Sequence, residues 1–171
     1  MSTDTARQPP RGARLLPSLL DRLTDQAPQR RSESAQDRVL DRAELRRRVL
    51  RDLTWLLNTT SLESEVDLGG HPAVRDSVLN FGLRALSGKY LVDDDLRRIE
   101  TSVCECIRRF EPRILPDTVQ VRVLAGDKDH ATRNWLGMEI RGQLWAEPYP
   151  VELLLRSRVD LESGQVALEA A

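Results

Sequence analysis

The hydrophobic pattern changes period once along the chain, at about Pro116. Before that proline, apolar residues recur at helical spacing; after it they alternate with polar ones. "LLPSLLDRL" places Leu15, Leu16, Leu19, Leu20 and Leu23 on one helical face, with Pro17 near the start and Ser18 as a cap. Thr24 to Leu40 is polar and reads as a tether. "DRAE" then has the form of a capping box, Asp41 capping and Glu44 reaching back. Leu45, Val49, Leu53, Leu56 and Leu57 follow as a buried stripe, and Asn58 ends the helix. Past Gly69 and Gly70, Pro72 opens a short helix with Val74, Val78 and Phe81 predicted inward. Gly82, Ser87 and Gly88 mark a turn-rich connection. "DDD" begins a third helix whose inner face carries Leu96, Ile99, Val103, Ile107 and Phe110. Burying such side chains contributes roughly 1.5–3 kcal/mol each, so this helix belongs to the core. Its leading acids and its closing Arg108 and Arg109 both suit the helix dipole.

Beyond Pro116 the alternation predicts strands through Val119, Val121 and Val123, through Leu136, Met138, Ile140 and Leu144, and through Val151, Leu153, Leu155 and Val159. "ESGQ" is a turn, after which Val166 and Leu168 can begin a last short strand. Pro148 and Pro150 are expected to guard a sheet edge, because proline interrupts strand pairing. Helices first and a meander afterwards predict an α+β fold, with N-terminal helices packed on a C-terminal antiparallel β-meander of three to four strands. The expected organisation is a disordered tail over residues 1–13, a docking helix with its polar tether over 14–40, and one domain over 41–171. A leucine stripe this short is marginal alone in water, so it must dock on its own domain or on another subunit.

Composition narrows the function classes. Charged residues make up 31% of the 171, yet the net charge is only −1, which argues against nucleic-acid binding through bulk charge. No apolar run approaches the roughly 18–20 residues of a membrane span, and no leader pattern is present, so a cytoplasmic location is expected without membrane insertion. Only 4% of residues are aromatic, which leaves the core to Leu, Val and Ile. Cys104 and Cys106 stand about 200° apart on the third helix, and no further Cys or nearby His completes a metal site with them. They read as ordinary thiols. "SGKY" lacks the upstream glycine and the strand of a phosphate-binding loop. A glycosidase would need two facing carboxylates with one protonated. Glu111 is the only acid in an unusual context, and a guanidinium two residues on favours its charged form. Catalytic, cofactor and metal sites are therefore all expected to be absent.

The stretch "RRFEPRILP" ends the third helix in an unusual way. Pro112 is expected to push Glu111 into an extended backbone, so that Glu111 and Arg113 project to the same side. They can pair on the surface, worth about 0–1 kcal/mol. They can clamp the domain's own loops, where loss of one partner costs about 3–5 kcal/mol. Or they can present matched charges to a partner.

"EPRILP" after an amphipathic helix resembles the Glu-Pro-Arg signature of the lysozyme-like baseplate wedge family of contractile phage tails, most closely its type VI secretion branch, the TssE subunits. "PSLLDRL", "VLRDLTWLLNTT", "SVLNFGLRALSG", "GMEIRGQLW" and "SRVDLESGQV" are similar to further family segments in the same order, with Phe81 where Tyr is usual and Ser163 where Thr is usual. The resemblance covers roughly residues 15–168. It implies a structural, non-enzymatic subunit in a cytoplasmic baseplate docked at the inner membrane, from which the contractile sheath polymerises by strand addition. It implies that Glu111, Pro112 and Arg113 touch the core bundle formed by the wedge subunits TssF and TssG. The sheath subunits TssB and TssC, together with TssK, are the other implied partners. The alternatives are a peptidoglycan-cleaving muramidase, or the equivalent subunit of a phage tail or tail-like bacteriocin.

Overall fold

The structure is a computed structural model that describes residues 18–24, 28–29, 40–85, 93–124, 135–146 and 149–170. Its elements are α1 (Leu19–Leu23), α2 (Arg42–Leu57), α3 (Pro72–Arg75), α4 (Asp93–Phe110), β1 (Gln120–Leu124), β2 (Trp135–Leu144), β3 (Val151–Asp160) and β4 (Val166–Ala170). The four strands form one antiparallel meander in the order β1-β2-β3-β4, so the chain is α+β as its pattern predicts. α4 packs near β1 and α2 near β4. Both helices thereby cover one sheet face, where Val49, Leu53, Val103 and Ile107 share a core with Met138, Ile140, Leu155 and Val159. The other face carries Arg122, Arg141, Arg156 and Arg158, all exposed.

Most of the predicted stripes are buried as read, and the departures have local causes. Asp41 does cap α2, accepting from Glu44 N at 2.6 Å, but the Glu44 carboxylate turns to Arg47 and Arg48 instead of back to the cap. Two guanidiniums within one helical turn compete better for it than one exposed amide. Val78 points outward, 79% exposed, because Val78–Asn80 is a 3-10 turn in which Asn80 takes the inward position. The Asn80 amide accepts from Glu63 N at 2.9 Å and donates to Arg75 O at 3.1 Å, which ties two loop segments together. Pro150 precedes β3, which like β2 is a central strand, so it guards no sheet edge. The edges are β1 and β4. Residues 1–17, which hold the expected tail together with Leu15 and Leu16, lie outside the described residues, as do Ser87, Gly88 and Pro148.

Candidate functional site

Pro112 has no N–H to continue α4, and the chain leaves the helix there. Glu111 N still donates to Ile107 O at 2.9 Å, while Ile114 N folds back onto Glu111 O at 3.1 Å. Pro112 and Arg113 are thus the two central residues of a tight turn, not part of an extended segment. The fixed φ of proline suits both conformations, and the pairing that follows decides between them. Trp145 N donates to Arg113 O and Leu115 N donates to Gln143 O, both at 2.8 Å, which stitches the turn to the end of β2. Gly142 makes room for this: a Cβ there would lie 2.9 Å from Ile114 Cγ2.

The turn still brings Glu111 and Arg113 together. Arg113 Nε donates to Glu111 Oε1 at 2.7 Å and Nη2 to Oε2 at 2.5 Å, a two-pronged pair in which Glu111 is 4% exposed. Arg113 Nη2 also reaches Asp52 Oδ2 on α2 at 2.6 Å. Burial alone makes the Arg113 charge costly; Glu111 and then Asp52 outweigh it and raise the guanidinium pKa further above its ordinary value. Nη1 makes none of the hydrogen bonds found among the described residues.

From Asp52 the charges continue along α2 to the N-terminal helix. Arg51 Nε donates to Asp52 Oδ1 at 2.8 Å, and Arg51 Nη1 donates to Asp21 Oδ1 of α1 at 2.9 Å. Arg48 Nη1 stands 3.1 Å from Asp21 Oδ2, and its Nε donates to Glu44 Oε1 at 2.7 Å. The guanidinium of Arg51 also lies over the Trp55 ring, 5.0 Å from its centre. Asp21 completes a capping box with Ser18, whose hydroxyl donates to Asp21 Oδ2 at 2.6 Å. Burial pushes the Asp21 pKa up, but Ser18, Arg51 and Arg48 together outweigh it and hold the carboxyl at about 2. An unbroken seam, Glu111–Arg113–Asp52–Arg51–Asp21, therefore joins α1, α2 and the Glu-Pro-Arg turn.

This seam explains how the leucine helix is held. α1 attaches to its own domain through Asp21, and its leucines face away: Leu19 is 70%, Leu20 49% and Leu23 75% exposed. Sequence reasoning singled out the Glu-Pro-Arg end of the seam and the leucines of α1, but missed Asp21, Arg48, Arg51 and Asp52, which join the two. A signal was present, since Arg48, Arg51 and Asp52 share one α2 face at a spacing of three and four residues.

Among the described residues no group of three or more His, Cys, Asp or Glu is placed to hold a metal ion, and no helix is long and apolar enough to cross a membrane. Cys106 is buried and donates to Gly82 O at 3.1 Å. Burial pushes its pKa up to about 12, against the opposing charge of Arg109, so it is a packed thiol and not a nucleophile.

The features that remain are an ionic turn, an outward leucine face and a sheet with two edges, all suited to assembly. A sequence model of the family described as baseplate wedge protein gp25 matches residues 43–149. The chain belongs to that family. No curated protein and no solved structure matches it. The gp25 wedge family is one of structural baseplate components in phage-tail-like assemblies. Its matched region contains Glu111, Pro112, Arg113 and Asp52, whereas Asp21 and the α1 leucines lie before it.

Proposed function

We propose that the chain is the wedge subunit of a type VI secretion baseplate, cytoplasmic and docked at the inner membrane, where it joins the baseplate to the contractile sheath and nucleates sheath polymerisation by strand addition. Family membership supports the baseplate role. The observation that carries the sheath role is the difference between the two edges of the sheet.

At β1, Val119 O accepts from Arg108 Nη2 at 3.4 Å and from Cys104 Sγ at 3.6 Å, and Val123 N donates to Glu100 Oε1 at 2.7 Å. Side chains of α4 therefore occupy that edge. At β4, Asn58 covers the first outward rung, its amide donating to Val166 O at 2.8 Å and accepting from Val166 N at 2.9 Å. In an antiparallel ladder alternate residues face outward, so Leu168 and Ala170 turn their backbone groups the same way as Val166. No side chain among the described residues bonds to them. The β4 edge is the one open to a further strand, with a sheath subunit of the TssB–TssC type as its proposed donor.

The wedge subunits TssF and TssG are the proposed partners of the Glu111-Pro112-Arg113 turn, with Pro112 exposed and Arg113 Nη1 available to a partner acceptor. The outward leucines Leu19, Leu20 and Leu23 are the second proposed contact, and TssK is a more distant member of the same assembly. Affinity purification of tagged protein from its own host, followed by mass spectrometry, tests this. Wedge and sheath subunits are expected with wild type. Wedge subunits should be lost selectively from Leu19→Ser/Leu23→Ser, which leaves the charged seam in place. Recovery of tail-tube and capsid proteins would assign the chain to a phage tail or tail-like bacteriocin instead.

A further inference from the structure

The segment "SVLNFG" builds a feature that the sheath and wedge contacts do not use. Residues 61–85 run alongside α4 and are fastened to it by Cys106, Arg109 and Phe110. Cys106 Sγ donates to Gly82 O at 3.1 Å, the Phe81 and Phe110 rings meet edge-to-face at 5.5 Å, and Arg109 Nη2 stands 3.3 Å from Asp76 Oδ1. Asn80 ties the segment to itself, and Gly82 carries it past Thr59 with a φ of 126°. Between this wall and α4 lies an open groove of about 870 Å³.

Its lining has a distinct charge. Arg75, Arg84, Arg97, Arg98 and Arg109 face it from three different parts of the chain, against the carboxylates Glu63, Asp95 and Glu105. The local balance is thus positive in a chain whose net charge is −1. Only Arg109 is spent on holding the wall. No ion pair among the described residues involves Arg75, Arg84, Arg97 or Arg98. Ile99, Cys106 and Phe110 supply apolar surface between the charges.

We infer that this groove binds an acidic, extended segment of a partner protein, with apolar side chains between its carboxylates. Guanidiniums spread along a preformed trough match carboxylates at intervals, and the apolar floor takes the residues between. A nucleic-acid backbone fits less well, because Glu63 and Glu105 interrupt the positive surface that an unbroken row of phosphates requires. The inference stands apart from the sheath and wedge contacts, since it shares no residue with the β4 edge or the charged seam.

Fluorescence anisotropy on the full chain tests it with three labelled probes: a peptide of Glu-Glu-Leu repeats, its Lys-Lys-Leu counterpart, and single-stranded oligothymidylate. The acidic peptide is expected to bind, and more weakly as salt rises. Arg75→Glu/Arg98→Glu should weaken it at least about tenfold. Arg122→Glu/Arg156→Glu, the same charge change on the outer sheet face, should weaken it less than about twofold. If the groove variant loses its circular dichroism signal, Arg84→Gln/Arg97→Gln carries the same expectation at about threefold. Equal weakening by the outer-face variant, no binding of the acidic peptide, or tighter binding of oligothymidylate would each overturn the inference.

Discussion

Removing the Arg113 side chain would strand the Glu111 carboxylate at 4% exposure with no counter-charge and would take a partner from Asp52. Arg113→Ala should therefore destabilise the domain by about 3 kcal/mol, read from the urea midpoint. An unchanged midpoint would make the pair a surface ornament free for other use. Arg113→Lys should recover only part of the loss, since one ammonium cannot reproduce the two-pronged contact with Glu111 and also reach Asp52. Asp21 gives a pH-dependent counterpart. Its folded pKa of about 2 lies below the unfolded 3.8, so its contribution is complete above about pH 4 and is lost as pH falls through about 2. The carbon-13 shift of the Asp21 carboxyl should titrate in that window, together with release of α1; titration near 3.8 would mean that α1 is not held by Arg48 and Arg51. At this scale the convergence of Glu111 and Arg113 was legible, since it needs only their proximity. Asp52 was not, because it stands 61 residues from Arg113 and only folding brings the two together.

At the scale of elements, hydrophobic period named every long helix and strand, because one buried face sets the register of each. It misread Val78 and overlooked Asn80. In a one-turn helix followed by a 3-10 turn there is no sustained period, and the inward place goes to whichever side chain can satisfy buried backbone groups. Asn80→Ala would leave Glu63 N without its partner and Arg75 O with only its 3.3 Å bond from Arg109 Nη1, so a loss of about 2 kcal/mol is expected. Val78→Ser, at a position 79% exposed, should stay within about 0.5 kcal/mol of wild type. Thermal melts of the two variants side by side check the contrast; a larger effect from Val78 would mean that its side chain is not free in the isolated chain.

At the scale of the whole molecule, the two sheet edges differ in what covers them. Leu168 turns its N–H outward and Ala167 turns its N–H toward β3. Leu168→Pro should accordingly keep the fold while abolishing recovery of sheath subunits in affinity purification. Ala167→Pro should lower the melting temperature of the isolated chain, because it removes a ladder hydrogen bond. Sheath recovery undiminished by Leu168→Pro would place the strand exchange elsewhere.

The sequence by itself determined the α+β class, the long elements, their buried faces and the Glu111–Arg113 end of the charged seam. Each of these follows from periodicity or from neighbours within a few residues. Tertiary structure alone decided that Pro112 centres a turn, that Asp52 joins Arg51 to Arg113, that α1 shows its leucines outward, and that α4 side chains bond to β1 while, among the described residues, only Asn58 bonds to the outer edge of β4. Those outcomes depend on which distant groups meet, and a side chain's polar partners are chosen only when the helices come to rest on the sheet.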